Sequence, residues 1–392
     1  MHKKISILIV LVIGVVIFVQ AQTWDPVKRL THTPGSSAHP AVAILPGIWS
    51  NNMHLVWSES VGNYEIFHKK STDGGSSWSE NKRLTWNSGV SDWPVIAIDS
   101  KNNIHIVWQD NTPGNYEIYY KKSTDGGTTW TAMKRLTWNL NLATYPDILV
   151  RTSTLSNGAK LDNIHIVWSA VVGTDFEIFH KYSSNGGSTW ASPHIKRLTW
   201  NLGMSMFPKI AIDSGNRLHL VWQDNTTGNY EIYYKMSEDG GNAWTTERLT
   251  WNTGWSSHPA IAIDPAGNIN LVWEDDVKGN SEIYYKTHDG ITIWSASERL
   301  TWSSQDSHAP FIIAFKTFKP MFVWYGDSSG NDEIYHKLSN NGGSTWSSKR
   351  LSWSPGASFF PVMAMDYTTE SIHVFWSDDS PGNSEIYYRK GK

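Results

Sequence analysis

The stretch Ser123-Thr124-Asp125-Gly126-Gly127-Thr128-Thr129-Trp130 decides the fold, because versions of it recur along the chain at residues 71–78, 183–190, 237–244, 287–294 and 339–346. Each version begins with a hydroxyl residue, has Asp or Asn two positions later and ends in Trp. The Asp or Asn can bond the backbone ahead of it and hold a turn. The glycines supply the positive φ that a tight hairpin requires. The Trp is large enough to anchor the turn on a sheet and is expected to start the next strand. We interpret the stretch as a hairpin and call it the staple.

A second repeat, Arg-Leu-Thr or Arg-Leu-Ser, divides the chain into units of 51 to 62 residues, at Arg29, Arg83, Arg135, Arg197, Arg248, Arg299 and Arg350. Four short strand-like runs lie between successive copies, separated by Gly, Asn, Asp and Pro turns. The first run follows a proline such as Pro94, the second ends in Trp108 or its counterpart, the third begins with Glu117 or its counterpart, and the fourth leaves the staple. Four strands repeated at this period indicate a β-propeller with one sheet per blade.

The ends of the chain predict how the ring closes. Seven second strands end in Trp and seven third strands begin with Glu-Ile, but there are only six staples. Thr23-Trp24 matches the end of a staple, and Trp24 precedes Arg29 by the same five positions that separate Trp130 from Arg135. We therefore predict an all-β fold, a single seven-bladed propeller of four-stranded antiparallel blades. Its N-terminal strand is expected to complete the last blade, which removes an exposed edge. This pairing would place Arg29 opposite Glu385, as Arg135 is expected to lie opposite Glu117.

Residues 1–21 are expected to lie outside this fold. Lys3 and Lys4 precede an apolar run from Ile5 to Val19, and a small-residue cleavage site follows, which is the pattern of a secretory signal peptide. An uncleaved N-terminal anchor is the alternative. Residues 22–392 then form the propeller of a secreted or otherwise extracytoplasmic protein, with no membrane span after cleavage. The chain has no cysteine, so this protein must be stable without disulfides. The formal net charge of −3 and the absence of a basic stretch argue against nucleic acid as a partner.

The staple resembles the Asp-box, or bacterial neuraminidase (BNR) repeat, of the sialidase superfamily. The resemblance covers residues 22–392 and implies a propeller whose staples join third to fourth strands and whose substrate site lies on the opposite face. Sialidases are known for three arginines that grip the substrate carboxylate, a Tyr nucleophile with a Glu partner, and an Asp acid/base. We find no such arginine triad: seven of the ten arginines are the repeated ones, Arg151 and Arg217 are expected on the staple side, and Arg389 lies near the C-terminus. No catalytic residue is assigned.

Candidate binding residues emerge from the tryptophans. Of 23, all but Trp49, Trp93 and Trp255 occupy repeated positions. Trp93 precedes Pro94, at a position that varies between blades and is mostly aromatic. Where the chain crosses from the outer rim to the axis, these residues should surround the mouth of the central tunnel, on the face opposite the staples. The candidates are His39, Trp93, Tyr145, Phe207, His258 and Phe360, with Trp255 and the loop carboxylates Asp110, Asp224 and Asp275 nearby. The alternative is that these residues only pack against adjacent blades.

No metal or other cofactor is expected. The second-strand histidines, such as His105, lie one per blade and cannot converge as ligands, and no loop has the ligand spacing of an EF-hand. The leading functional hypothesis is an exported, non-catalytic, monomeric propeller that recognises a glycan or glycoprotein. One alternative is an exo-sialidase-like glycoside hydrolase with a degenerate or rearranged site. Glycoside hydrolases usually need two carboxylates placed beside the scissile bond. Another is a structural or assembly scaffold.

Overall fold

A computed structural model describes residues 22–45, 51–138, 141–154, 156–190, 195–290, 293–315, 319–327 and 330–392. The signal peptide predicted at residues 1–21 and Trp49 lie outside these ranges. Within them the chain forms 28 strands and no helix, and the strands make seven four-stranded antiparallel sheets. The same residues contain no helix that is long and apolar enough to cross a membrane. The predicted all-β propeller of seven blades is confirmed.

The strands follow one another from the inner to the outer edge of each blade. Blade one is β2 (Ser37–Ile44), β3 (Met53–Ser60), β4 (Tyr64–Ser71) and β5 (Lys82–Arg83). Blade two is β6 (Ser91–Ile98), β7 (Ile104–Asp110), β8 (Glu117–Ser123) and β9 (Lys134–Arg135). Blade three is β10 (Ala143–Thr154), β11 (Lys160–Val172), β12 (Asp175–Ser183) and β13 (Lys196–Arg197). Blade four is β14 (Ser205–Ile212), β15 (Leu218–Asp224), β16 (Glu231–Ser237) and β17 (Thr245–Arg248).

The remaining blades repeat this order, except that the last one borrows its outer strand. Blade five is β18 (Ser256–Ile263), β19 (Ile269–Asp275), β20 (Glu282–His288) and β21 (Glu298–Arg299). Blade six is β22 (Ser307–Ala314), β23 (Pro320–Gly326), β24 (Glu333–Leu338) and β25 (Ser347–Arg350). Blade seven is β26 (Ser358–Asp366), β27 (Ser371–Asp378), β28 (Glu385–Gly391) and, from the other end of the chain, β1 (Lys28–Arg29).

The ring closes inside blade seven, as the sequence predicted. β1 pairs antiparallel with β28, and Trp24 forms an isolated bridge with Gly391. Arg29 Nη2 lies 2.6 Å from Glu385 Oε1, and the Glu385 side chain is completely buried. The predicted register was wrong by two residues, however, because Arg29 pairs with Tyr387 and Arg135 with Tyr119. The ion pairs with Glu385 and Glu117 therefore run diagonally across the strands.

The geometry of the staple explains this shift. In blade four Thr245 already pairs with Met236, so Trp244 lies within the turn and the outer strand begins after it. The expectation that the staple Trp starts the strand was therefore wrong. Its indole instead folds back onto the turn and donates a hydrogen bond from Nε1 to the carbonyl of Gly241 (3.0 Å). The outer strand is consequently displaced along its neighbour relative to a direct Glu–Arg pairing.

The staple also packs against the preceding blade. Asp125 Oδ1 accepts hydrogen bonds from the Thr129 amide (2.8 Å) and the Ser123 hydroxyl (2.8 Å), which fixes the turn. Gly187 has φ +79°, and a Cβ there would lie 1.9 Å from the hydroxyl oxygen of Tyr120 in the preceding blade. Glycine is needed here for both the backbone conformation and the close approach. The staples therefore set the spacing between blades.

The second strands form the core between the sheets. Every residue of β7 is buried, including Trp108. The second-strand histidines are buried as well and bond within their own blades: His105 Nδ1 lies 2.8 Å from the Tyr120 hydroxyl, and His54 Nδ1 lies 3.0 Å from His68 Nε2. Among the described residues, no group of three or more His, Asp or Glu side chains is placed to hold a metal ion. The histidine repeat therefore packs the blades.

Candidate functional site

The inner strand of every blade has a β-bulge where it meets the second strand, on the face opposite the staples. In blade two, Asp92 pairs with Gln109 and Val95 pairs with Val107, so Trp93 and Pro94 together oppose only Trp108. The same irregularity occurs in the other six blades. A bulge bends its strand and redirects a side chain, and bulges are common beside active sites.

The residue before the proline adopts a left-handed backbone conformation in all seven blades. Its φ lies between 45° and 53° at His39, Trp93, Tyr145, Phe207, His258, Ala309 and Phe360. Such a conformation costs about 1–3 kcal/mol for a residue other than glycine, and persists only where its surroundings impose it. Those surroundings include an acceptor for its amide. Gln109 Oε1 accepts from the Tyr145 amide (3.0 Å), and Gln223 Oε1 accepts from the His258 amide (2.9 Å).

Six of these side chains meet at the centre of the ring, and we call them the axial aromatic cluster: His39, Trp93, Tyr145, Phe207, His258 and Phe360. His39 stacks on Trp93 with ring centroids 3.8 Å apart, and Trp93 also contacts Tyr145 and Phe360, each at 5.6 Å. The series continues from Tyr145 to Phe207 (4.2 Å) and from Phe207 to His258 (4.5 Å). Because Trp93 touches rings from three blades, the cluster forms a continuous aromatic surface.

The cluster is only half-buried. Trp93, Tyr145, Phe207 and Phe360 are intermediate in exposure, and the His258 side chain is 44% exposed. These rings pack mainly on one another at the axis, so one part of each ring remains open to solvent. The structure thus brings six of the candidate residues together on one surface. Their role in ligand binding stays a prediction.

The other four candidates lie elsewhere. Trp255 is 59% exposed and contacts Tyr230 edge-on at 5.9 Å. Asp110 is completely buried, and its Oδ2 accepts hydrogen bonds from Asn87 Nδ2 (2.6 Å) and the Ser91 hydroxyl (2.6 Å). Asp224 and Asp275 are buried with the equivalent Asn, Ser and Trp partners. These three carboxylates hold the loop that leads into the inner strand, and their oxygens are already occupied.

The aromatic cluster is interrupted at Ala309, where blade six contributes only a methyl group. Beside this gap lies Glu274, a buried carboxylate with no counterpart in the other blades. Its Oε1 accepts from the Ala309 amide (2.6 Å) and lies 3.3 Å from His258 Nδ1, while its Oε2 lies 3.1 Å from His308 Nδ1. One carboxylate thus orients two imidazoles, and the Nε2 of each faces away from it.

The electrostatics of this group follow from its burial and its hydrogen bonds. Burial raises the pKa of Glu274, but the hydrogen bonds and charges of His258 and His308 outweigh it and lower the pKa to about 2. The hydrogen bond to Glu274 raises the pKa of His308 despite partial burial. Burial and the charges of Glu274 and Asp332 raise the pKa of Tyr325 to about 12. At neutral pH the gap therefore holds an ionised Glu274, a His308 that is protonated more readily than a free imidazole, and a neutral Tyr325.

A second polar group lies on the other side of the cluster. Asp92 Oδ1 contacts His39 Nδ1 (2.8 Å), the Ser58 hydroxyl (2.6 Å) and the amide of Trp93 (2.7 Å). Burial raises the pKa of Asp92, but the hydrogen bond and charge of His39 outweigh it, so the net pKa is lowered. An ionised Asp92 therefore fixes the imidazole that stacks on Trp93.

The sequence reasoning missed Asp92, Glu274, His308 and Tyr325. For Glu274 and Tyr325 a usable signal was present at the position after each second-strand Trp, which reads Ser58, Gln109, Ser169, Gln223, Glu274, Tyr325 and Ser377. This position varies in size and charge beside an almost constant neighbour, as the position before the proline does.

Comparison with known proteins identifies a family for this chain and several solved structures with the same fold. The model of the BNR repeat-like domain matches residues 65–272. A sialidase of Clostridium perfringens is 24% identical over 209 residues, and the match covers 47% of this chain and 53% of that relative. The match thus spans about half the length of the curated relative.

Solved structures with the same fold are more distant in sequence. A polysaccharide lyase described as an ulvan lyase superposes with a TM-score of 0.64 at 12% identity, covering 90% of this chain and 93% of that chain. A protein of unknown function from Dyadobacter fermentans gives 0.59 at 13% identity, covering 95% and 100%. The NanB sialidase of Streptococcus pneumoniae gives 0.52 at 14% identity, covering 93% and 70%. At these identities the likeness concerns the fold.

Proposed function

Because this chain belongs to the BNR repeat-like family of sialidase-superfamily propellers, we propose that it is an exported carbohydrate-binding protein whose site is the axial aromatic cluster. The ligand is a glycan or the glycan of a glycoprotein. The proposal rests on one observation above all. At seven equivalent positions the backbone is held in the same strained conformation, while the side chain it presents differs from blade to blade. Backbone strain of this kind concentrates at functional sites.

The chemistry of the cluster suits a sugar. Trp93, Tyr145 and Phe207 present aromatic faces that can stack on the apolar face of a pyranose. His39, Asp92 and His258 border these rings and can bond hydroxyl groups. Carbohydrate sites commonly combine such flat apolar surfaces with a few placed polar groups.

The arginines support binding without sialidase chemistry. Each repeated arginine pairs with a buried glutamate of its own blade, as Arg135 does with Glu117 at 2.6 Å. Arg217 pairs with Asp213 (2.6 Å), Arg151 donates to the carbonyl of Asn216 (3.1 Å), and Arg389 donates to that of Leu351 (2.8 Å). None of these ten arginines is positioned at the axial cluster to grip a substrate carboxylate.

A second candidate function, a carbohydrate-active enzyme, is favoured by the group at the Ala309 gap. Glu274 holds His258 and His308 with their Nε2 atoms directed away from it, an arrangement that can supply a general base. Tyr325 lies beside His308, with ring centroids 5.5 Å apart. An enzyme would therefore act at the gap, and a binding protein would use the whole cluster.

A glycan array and a fluorogenic sialoside assay on residues 22–392 test both candidates. We expect binding to a defined set of glycans and no turnover above a Glu274→Gln control. Trp93→Ala and Tyr145→Ala should each weaken binding by about five-fold, about 1 kcal/mol for one stacked ring, with little change in melting temperature.

Three outcomes would contradict the binding proposal. Turnover that disappears in Glu274→Gln or His308→Gln would make the protein an enzyme. Unfolding of Trp93→Ala and Tyr145→Ala without a specific binding defect would mean that the cluster only packs the blades. Binding to no glycan at all would favour an assembly scaffold.

A further inference from the structure

Six tryptophans on the outer edge of the blades are much more exposed than the other described tryptophans apart from Trp255. Each follows the repeated Arg-Leu-Thr or Arg-Leu-Ser, where the chain leaves an outer strand and turns towards the axis of the next blade. We call them the rim tryptophans: Trp86, Trp138, Trp200, Trp251, Trp302 and Trp353. They are 52% to 68% exposed. A single exposed hydrophobic residue is normal on a protein surface, but these six are all tryptophans and occupy the same position in successive blades.

Every rim tryptophan lies beside at least one cation. The Trp86 ring has the Arg83 guanidinium and the Lys121 ammonium of the next blade each at 5.8 Å from its centroid. Arg83 is neutralised by Glu65 at 2.8 Å, but Lys121 makes no ion pair within the described part of the chain. One positive charge therefore remains next to the aromatic face. A lysine or arginine that makes no ion pair within the described residues also lies beside Trp138, Trp251, Trp302 and Trp353. Trp200 differs, because the cation recorded beside it is Arg197, which is paired with Glu177.

A purely structural role does not account for the aromatic side chain. The lysine ties two blades together, since Lys121 Nζ donates to the carbonyl of Leu84 in the preceding blade. At the equivalent place after β1 the chain has His32 instead of Trp, and Lys69 Nζ still donates to the Leu30 carbonyl at 2.6 Å. The tie between blades therefore forms without a tryptophan. The six exposed rings require another explanation.

We propose that the rim tryptophans form a repeated set of binding subsites for a polysaccharide that carries carboxylate or sulfate groups. The open face of each indole stacks on a sugar ring, and the adjacent cation attracts the anionic substituent. The subsites lie about 15 Å outside the inner strands, which is three strand spacings, so they are separate from the axial aromatic cluster. Weak subsites engaged together by one polymer give an avidity on the order of 100 to 10,000 times that of one alone.

Binding of residues 22–392 to dextran sulfate and polygalacturonate, with neutral dextran as the comparison, tests the proposal. We expect binding to both anionic polymers, no binding to dextran, and weakening as salt is raised, because exposed charges are screened. Trp86→Ala alone should weaken binding only about two- to five-fold, whereas Trp86→Ala, Trp200→Ala and Trp302→Ala together should weaken it on the order of 100-fold. Leu202→Ala is the matched control, since Leu202 is 95% exposed in the same loop as Trp200.

Several results would overturn the proposal. One is an absence of binding to either anionic polymer. Another is a triple variant that binds as tightly as the unsubstituted protein. A third is a Leu202→Ala variant that loses as much polymer affinity as the triple variant. Loss of polymer binding in Trp93→Ala but not in the triple variant would assign the polymer to the axial cluster instead. Failure of axial glycan binding alone would leave the rim proposal intact.

A measurement on the unsubstituted protein covers the case in which the triple variant does not fold. Acrylamide quenches exposed tryptophans selectively, and six of the seven exposed tryptophans among the described residues are the rim tryptophans. Saturating dextran sulfate should therefore reduce the quenching constant, while dextran should not. Unchanged quenching in the presence of bound dextran sulfate would contradict stacking on the indoles.

Discussion

Replacing Arg29 by Ala tests the closure of the ring, because it removes one partner of an ion pair that joins the two ends of the chain. Arg135→Ala in blade two is a closely matched control. Both arginines lie 2.6 Å from their glutamates, and in both pairs the arginine side chain is 27% exposed and the glutamate fully buried. The two substitutions differ mainly in whether the outer strand comes from the same stretch of chain as its neighbours.

The structure raises the expected cost of this substitution well above that of an ordinary cross-strand pair, which contributes roughly 0.2–1 kcal/mol. Glu385 is completely buried, so loss of the guanidinium leaves a charge without its main partner, at a cost of about 3–5 kcal/mol. Glu385 keeps the hydrogen bond from the Thr33 amide at 3.0 Å, which favours the lower end of that range. We therefore expect both variants to lose about 3 kcal/mol in the free energy of unfolding.

Equilibrium unfolding in urea, followed by tryptophan fluorescence, measures both losses. Similar losses in Arg29→Ala and Arg135→Ala would support a blade seven that is as well formed as blade two. A loss below about 0.5 kcal/mol in Arg29→Ala, beside a full loss in Arg135→Ala, would be the effect of an ordinary surface substitution. That result would refute the pairing of β1 with β28.

Three further predictions concern the blades themselves. Asp125→Ala should lower the melting temperature, because the Thr129 amide and Ser123 hydroxyl lose their acceptor. It should leave glycan affinity unchanged. A variant that binds glycans less well but melts at the same temperature would contradict this prediction. Gly187→Ala should destabilise the fold more strongly, since its Cβ would overlap the Tyr120 hydroxyl, and a neutral result would show that the blades can separate. Burial lowers the pKa of His219 from 6.5 to about 4. The neutral imidazole therefore makes its full contribution to stability above pH 6.5. That contribution is lost as the pH falls from 6.5 through 4, at about 1.4 kcal/mol per pH unit. His219→Asn introduces the residue found in blade five, where Asn270 accepts a hydrogen bond from the Tyr285 hydroxyl at 2.7 Å. This variant should reduce the pH dependence of the free energy of unfolding by one proton. An unchanged pH dependence would mean that another group titrates.

The architecture could be predicted because each blade repeats its chemistry in sequence. The period of the Arg-Leu-Thr motif indicated the propeller, and the seven second-strand tryptophans and seven Glu-Ile third strands indicated the number of blades. Thr23-Trp24, which matches the end of a staple, indicated how the ring closes. The strand register could not be obtained in the same way. It depends on whether the staple Trp lies in the turn or in the strand, and Trp244 is held in the turn by its bond to Gly241.

The candidate site was predictable only in part. Variation before the prolines identified Trp93 and Tyr145, but their stacking depends on a left-handed conformation that a residue before proline usually avoids. The bulge imposes that conformation, and nothing in the local sequence reports it. Asp110 was expected in an open loop, yet Asn87 and Ser91 cover it and bond its carboxylate. Glu274 and His308 come from neighbouring blades, so only the packing of blades brings them together.

The left-handed position before each proline has a consequence for how such a protein can evolve. Seven blades carry His, Trp, Tyr, Phe, His, Ala and Phe there with almost the same backbone angle. The chain thus contains its own record of tolerated substitutions, since residues as different as Ala and Trp occupy one conformation. Mutations at this position can alter the exposed surface while the staples and buried ion pairs keep the blades in place. The surface that the axial aromatic cluster exposes can therefore change while the stability of the fold is kept.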